Sequence, residues 1–264
     1  MHNIYTTLKY PDTNFFSTLH QAPNSLLMLD YDGTLAPFTP NRFEAKPYAG
    51  VRELLTDISN IPEVKLVIIT GRPIKEIVPL LNMPTNPEIW GSHGWEHLLT
   101  DGYIEEWELP DNIRSLFLNI QDKLQASIPE NRVDIKTASL AVHWRGLPEV
   151  EKNKLELQTK EICKDLNATP GIDLKNFDGG LEIRAEGRDK GTSVRLLLNE
   201  SDSSTFAAYL GDDATDEDAF KALQGKGEGI LVRNEIRETH ANWWLKPPAD
   251  LINFLHHWKE VYSR

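Results

Sequence analysis

The chain has 264 residues and a formal net charge of −12, so its average surface repels nucleic acid and anionic membranes, and it holds no basic run long enough for a nucleic-acid tract. Apolar residues make up 40% and charged residues 26%, which suits one large globular domain or two modest ones sharing a sheet. A single cysteine, Cys163, excludes an intrachain disulfide and fits a reducing compartment, so a cytoplasmic location is expected.

Residues 1–9 have neither a charged head nor an apolar core, so no signal peptide is read there, and no apolar run approaches the ~20 residues of a membrane span. A short helix is expected over 12–19. Residues 25–30 form an apolar run that climbs to Asp30, a pattern fitting a strand buried on both faces. Residues 34–47 read as a loop, because Pro37, Pro40 and Pro47 interrupt any helix. A helix over 48–59 places Val51, Leu54, Leu55 and Ile58 on one face. A second buried strand (64–70) ends at Gly71 and Arg72, a helix follows over 74–81 with Pro73 in its first turn, and a short strand spans 88–92. This β, α, β, α, β order predicts a Rossmann-like, doubly wound parallel sheet.

From about residue 109 the rhythm changes to αββαββ: helices over 111–125 and 149–166, strand-like pieces at 132–136, 139–144, 172–177 and 180–184. That order suggests a separate antiparallel sheet covered by helices on one face, with Cys163 as a small core residue beside Ile162 and Leu166. The α/β order then resumes with a helix (189–199), a strand (206–210), a helix (216–223), strands at 229–232 and 243–246, and a closing helix (248–258). The expectation is an α/β core split in sequence (1–108 and 185–264) around an inserted α+β cap (109–184) that selects the substrate.

Four features point to one chemistry. Asp30 and Asp32, two positions apart, repel each other unless a cation or a shared proton intervenes. Asp30 can serve as a carboxylate nucleophile on phosphorus, and Asp32 can give a proton to the leaving oxygen and take one from water. Thr70 offers its hydroxyl, and the amides around Gly71 and Arg72 can bind phosphoryl oxygens. Lys190, at a helix start, can neutralise both nucleophile and phosphate. Asp212 stands at another strand end. With Asp30 and the backbone carbonyl of Asp32 it supplies the few hard oxygens that Mg2+ takes beside substrate and water. Each feature has a plainer reading: an Asp-Gly hairpin after residue 32, an ordinary turn at residues 70–72, a solvated or capping acidic run at residues 212–218, a surface lysine at Lys190. Their joint placement at carboxyl ends of core strands or at the starts of the following helices is what a parallel sheet brings together.

Asp30-Tyr31-Asp32-Gly33-Thr34, Thr70, Lys190 and Gly211-Asp212-Asp213-Ala214-Thr215-Asp216 resemble the four motifs of the haloacid dehalogenase superfamily of phosphatases, in order and across the whole core. The resemblance implies Asp30 as nucleophile, Asp32 as general acid/base, magnesium on Asp30, Asp32 and Asp212, and Asp216 and Asp213 supporting the metal from close by. An insert between the second and third motifs resembles the capped sugar-phosphatase branch. More narrowly, Gly91-Ser92-His93-Gly94-Trp95-Glu96, residues 136–145, Gly180-Leu181-Glu182-Ile183-Arg184 and residues 211–217 are similar to signature segments of trehalose-6-phosphate phosphatases. Trp144 stands where tyrosine is common, Ala185 where proline is common, and Thr70 where that family often has serine. The resemblance implies hydrolysis of trehalose 6-phosphate and a functional link to a trehalose-6-phosphate synthase. Lys136, His143, Arg145, Glu182 and Arg184 are then expected to meet sugar hydroxyls, with His93 and Glu96 near the hinge. Strand alternation lets His143 and Arg145 point one way together, and likewise Glu182 and Arg184. The alternatives are salt bridges across a solvated cap face for these residues, and a turn-satisfying structural histidine at His93. Rival functions are phosphatases for sucrose, mannosylglycerate or glucosylglycerol phosphate, a catalytically dead sugar-phosphate sensor or scaffold, and a phospho-aspartate receiver.

Overall fold

The computed structural model describes residues 8–39, 41–166, 169–177 and 179–262. Pro40, read above as a helix breaker, and most of the N-terminal stretch read as lacking a leader lie outside them.

Helix α1 (Thr13–Gln21) starts where Asp12 accepts hydrogen bonds from the amides of Asn14 and Phe15. It leads into β1 (Ser25–Leu29), every residue of which is buried. There follow α2 (Val51–Ser59), β2 (Val64–Ile69), α3 (Ile74–Leu81) and β3 (Glu88–Gly91). Two short strands, β4 (Glu96–Leu98) and β5 (Ile104–Glu106), then fold back as an antiparallel hairpin. The sequence reading contains no strand there. Three residues are too few to display a period of two, and β5 is exposed throughout.

The insert contributes α4 (Asp111–Ser127), β6 (Val133–Ile135), β7 (Ser139–His143), α5 (Glu149–Cys163), β8 (Ile172–Phe177) and β9 (Gly180–Ala185). The chain closes with α6 (Lys190–Glu200), β10 (Phe206–Gly211), α7 (Glu217–Leu223), β11 (Glu228–Val232), β12 (Trp243–Leu245) and α8 (Ala249–Tyr262). Two sheets result, one ordered β12-β11-β10-β1-β2-β3-β4-β5 and the other β6-β7-β9-β8. In the larger, β12 through β3 are parallel.

The alternation of β1 explains the two layers of helices. Leu27 and Leu29 pack with α1, α2, α3 and α8, while Leu26 and Met28 pack with α6 and α7. This is the doubly wound core expected of the haloacid dehalogenase fold. In the smaller, wholly antiparallel sheet, Leu140, Val142, Leu181 and Ile183 face α4 and α5. The opposite face is left to Ser139, His143, Glu182 and Arg184. Cys163 is buried in that apolar layer, where loss of hydration pushes its thiol up to about 11.

The two crossovers between the sheets touch. The Arg188 guanidinium lies 3.5 Å over the Trp107 ring, which in turn stacks parallel to Trp90. Arg188 also donates to the Gly94 carbonyl.

Candidate active site

The parallel strands of the core end together, and their carboxyl ends carry the candidate chemistry. Asp30 follows β1, its amide donating to Leu210 O on β10. Thr70 follows β2, its amide donating to Trp90 O on β3. Asp212 follows β10. All three side chains are buried.

Lys190, the first residue of α6, joins the carboxylates. Its Nζ donates to Asp30 Oδ1 at 2.6 Å and to Asp216 Oδ1 at 2.7 Å. Thr34 Oγ1 donates to the other Asp30 oxygen at 3.1 Å. Asp216 is the most heavily used of the acids. Tyr209 also donates to its Oδ1, and the amides of Asp212 and Asp213 donate to its Oδ2, both at 2.9 Å. It therefore shapes the loop and holds Lys190. The Asp213 side chain accepts instead from the Ala214 amide, capping the short helical turn.

The electrostatics call for a cation. Carboxylate oxygens of Asp30, Asp212 and Asp216 lie within 4.8 Å of one another, with Lys190 between two of them. Burial, aided by Asp216 and Asp32 and opposed by Lys190, pushes Asp30 up to about 7. Burial and the neighbouring Asp30 and Asp216 push Asp212 well above the usual carboxylate range. Although burial disfavours its charge, Asp216 and Asp30 push Lys190 up. With all three acids ionised, one lysine would leave a charge of −2, which a divalent ion bound by hard oxygens would cancel. Gly33 makes the approach possible: at φ +84° it carries the β1 loop past Asp212, and a Cβ there would lie 2.2 Å from Asp212 Oδ2.

Asp32 stands apart from this trio. Its carboxylate is gripped by the fork of Arg72, Nε to Oδ2 and Nη2 to Oδ1, both at 2.6 Å. Two of the Arg72 side-chain nitrogens are thus taken by Asp32. The Arg72 amide donates to Thr70 Oγ1.

The cap's open face meets this site from above. His93 and Glu182 join across the boundary, Nε2 lying 3.3 and 3.2 Å from the two carboxylate oxygens. Glu182 Oε1 also accepts from Ser139 Oγ at 2.8 Å and from Lys136 Nζ at 3.4 Å. Burial opposes its charge, yet His93, Lys136 and Arg184 hold it well below the usual range. His93 is poised by strain: Ser92 and His93 both have left-handed backbones, φ +49° and +57°. The ring rests against Gly71, where a Cβ would come within 2.6 Å of Nε2. Its Nδ1 is buried without a hydrogen-bond partner among the described residues.

Other expected sugar contacts fall elsewhere. Glu96 spends both oxygens inside the protein, accepting from the Ile74 amide at the start of α3, from Ser92 Oγ and from Thr137 Oγ1 of the cap. It anchors the hinge turn rather than presenting a free carboxylate. Arg145 lies over the Phe38 ring at 4.1 Å, and its strand has ended two residues earlier, so it does not share a row with His143. Arg184 reaches Asp173 at 3.3 Å and Asp218 of the core at 3.6 Å, leaving Nη1 buried and unpartnered. His143 packs edge-on against Phe177 and lies 4.0 Å from Asp134.

Several participants carry no motif. Arg237 donates to the carbonyls of Asp212 and Asp213 and pairs with Glu217, so it clamps the acidic loop from outside. Asp134 on β6 and Lys136 just past its end are two positions apart, a spacing visible in the sequence. Arg237 lies in a polar loop with no periodicity to mark it.

Comparison with known proteins agrees with this geometry. Residues 28–244 match the trehalose-phosphatase family. The chain is 32% identical over 251 residues to trehalose-phosphate phosphatase B of Arabidopsis thaliana, covering 87% of this chain and 65% of that one. It thus spans just under two thirds of that relative's length. It is 29% identical over 221 residues to the bifunctional trehalose-6-phosphate synthase/phosphatase of Thermoproteus tenax, covering 82% of this chain and 29% of that one. Among solved structures, the C-terminal domain of C. albicans trehalose-6-phosphate phosphatase superposes with a TM-score of 0.82 at 19% identity, covering 97% and 99% of the two chains.

Proposed function

The chain belongs to the trehalose-phosphatase family, and from that premise together with the site's geometry we propose that it hydrolyses trehalose 6-phosphate to trehalose and phosphate. The observation that carries the reading is the meeting of two built halves. A core carboxylate is paired at 2.6 Å with a buried lysine, and a cap row of Glu182, Lys136 and Ser139 meets the core through His93, whose ring rests against Gly71 beside Thr70.

In the proposed reaction an Asp30 oxygen attacks phosphorus, and the bond from phosphorus to the sugar oxygen breaks as Asp32 gives that oxygen a proton. Asp32 then takes a proton from water as the water oxygen attacks phosphorus and the Asp30–phosphorus bond breaks. Arg72 orients Asp32 for both transfers. Lys190 and the Thr70 hydroxyl stabilise the charge on the phosphoryl oxygens. Asp30 and Asp212, with the Asp32 carbonyl, would hold magnesium, which when bound neutralises phosphate charge and restores an ionised Asp30 at neutral pH. Glu182, Lys136 and His93 present acceptors and donors to sugar hydroxyls. The cap closes over bound sugar and opens to release it. Among the described residues no helix is long and apolar enough to cross a membrane. A cytoplasmic setting and a functional link to a trehalose-6-phosphate synthase accord with the lone buried cysteine and the fused Thermoproteus relative.

The test is phosphate release from a panel of sugar phosphates with magnesium and then with EDTA. Trehalose 6-phosphate is expected to lead the panel and EDTA to abolish release; equal rates on glucose 6-phosphate, or a preference for sucrose phosphate, overturn the substrate.

A further inference from the structure

Arg42 lies in a one-turn 3-10 segment of the long loop between β1 and α2. Its guanidinium meets two carboxylates from different parts of the molecule, Glu76 on α3 of the core and Asp134 on β6 of the cap. Each leads further. Glu76 lies 4.0 Å from Nη1 of Arg72, whose other nitrogens grip Asp32. Asp134 lies 3.6 Å from Lys136 and 4.0 Å from His143, and Lys136 lies 3.4 Å from Glu182. Acid and base thus alternate from Asp32 in the core to Glu182 in the cap, with the widest step, 4.0 Å and no hydrogen bond, between Arg72 and Glu76.

The position suits a coupling role. A second ion pair across the boundary, Arg184 to Asp218, sits four residues from the crossover at Arg188 and so moves little when the cap swings. β6 is the far edge of the cap sheet, two strands from β9, or about 10 Å further out. A bridge there is broken by a small rotation. Arginine suits the place because its planar guanidinium turns Nη2 to Glu76 and Nη1 to Asp134, one nitrogen to each carboxylate.

We infer that Arg42 is a positioning residue that couples the cap to the proton-transferring carboxylate. It joins Asp134 to Glu76, which holds the cap down and, through Arg72, keeps Asp32 aimed at the leaving oxygen. The inference rests on the proposed role of Asp32, while Arg42 itself touches no reacting atom.

The test compares the full-length protein with Arg42→Ala and with Arg42→Lys, on trehalose 6-phosphate and on p-nitrophenyl phosphate, with X-ray scattering of each protein free of substrate. The sugar leaving group needs a proton and cap contacts; nitrophenolate needs neither. Arg42→Ala is expected to raise KM and lower kcat for trehalose 6-phosphate by about tenfold each, to lower kcat on p-nitrophenyl phosphate by less, because Asp32 serves only the water step there, and to enlarge the radius of gyration. Arg42→Lys keeps the loop's charge should the alanine variant fail to fold, and is expected to show the same pattern at smaller size. Combining Arg42→Ala with Asp134→Asn is expected to cost no more than the worse single change. Equal losses on both esters, additive losses in that cycle, or an unchanged radius of gyration overturn the inference. Should the wild-type protein spare trehalose 6-phosphate, the substrate reading fails, and the scattering comparison still decides the bridge.

Discussion

At the scale of residues, the site is an exercise in placing negative charge where water cannot reach it. Lys190 satisfies Asp30 and Asp216 together, and Asp212 is left to a cation. Asp30→Asn removes the attacking oxygen while keeping the side chain's shape, and relieves rather than adds like-charge repulsion. Turnover is expected to fall by roughly a thousandfold or more, with a thermal melt no lower than wild type; phosphate release and circular dichroism check the two halves. Gly33→Ala is a separate probe. Its Cβ would collide with the Asp212 carboxylate and its φ would stay at +84°. A loss of about 1–3 kcal/mol of stability and of most phosphate release is expected, read by denaturant titration and by the same assay.

At the scale of elements, two features can be tested without touching the reacting groups. Arg237 ties three groups of the β10–α7 loop together. Arg237→Ala is expected to raise the magnesium concentration for half-maximal phosphate release by about 10–100-fold, measured by metal titration. On β3, burial opposes the charge of Glu88, but His97, Lys65 and Trp90 outweigh it and hold the carboxyl at about 2 against its ordinary 4.5. A folded value below the unfolded one gives stability that is complete above about pH 4.5 and lost as pH falls toward 2, on the order of 3 kcal/mol. Denaturant midpoints across pH 2–6 should show this loss, and Glu88→Gln should flatten it. These elements also mark how far the sequence could be read. β1, β2 and β10 are apolar runs that end at polar chemistry, and a strand buried on both faces cannot hide that pattern. The β4–β5 hairpin, with three residues in each strand, one strand wholly buried and the other wholly exposed, left no such trace. Arg42 and Arg237 sit in polar loops, and their partners lie 20 to 92 positions away in the chain, a separation only the fold closes.

At the scale of the molecule, apolar clusters line both faces of the larger sheet, and a third packs the smaller sheet on its helices and takes in Trp95. Four polar pairs also join the insert to the rest: His93–Glu182, Glu96–Thr137, Arg42–Asp134 and Arg184–Asp218. Contacts of this kind separate at low cost because water can replace them, as a moving lid requires. A rise in radius of gyration with salt in the free protein is therefore expected, and scattering at low and at 1 M ionic strength checks it. The alternation of residues on β9 was legible beforehand, since Glu182 and Arg184 had to share a face, whereas β7 ends at His143 and leaves Arg145 out of its row. What the lone sequence could not supply was which of them meets the core, because that depends on the angle at which one sheet sits upon the other.

The stacked pair at the crossovers, Trp107 under Arg188, has a consequence for the protein's history. The chain leaves the core and returns to it at one point, so the core senses the excursion only as a closed loop. The entropic cost of such a loop rises by only about 0.6 kcal/mol for each doubling of its length. The site of insertion is thus a socket into which lids of different size can be exchanged while the catalytic floor keeps folding. A version in which residues 109–184 are replaced by a short glycine-serine bridge is expected to unfold cooperatively still, and to have lost its preference among phosphate esters along with its lid.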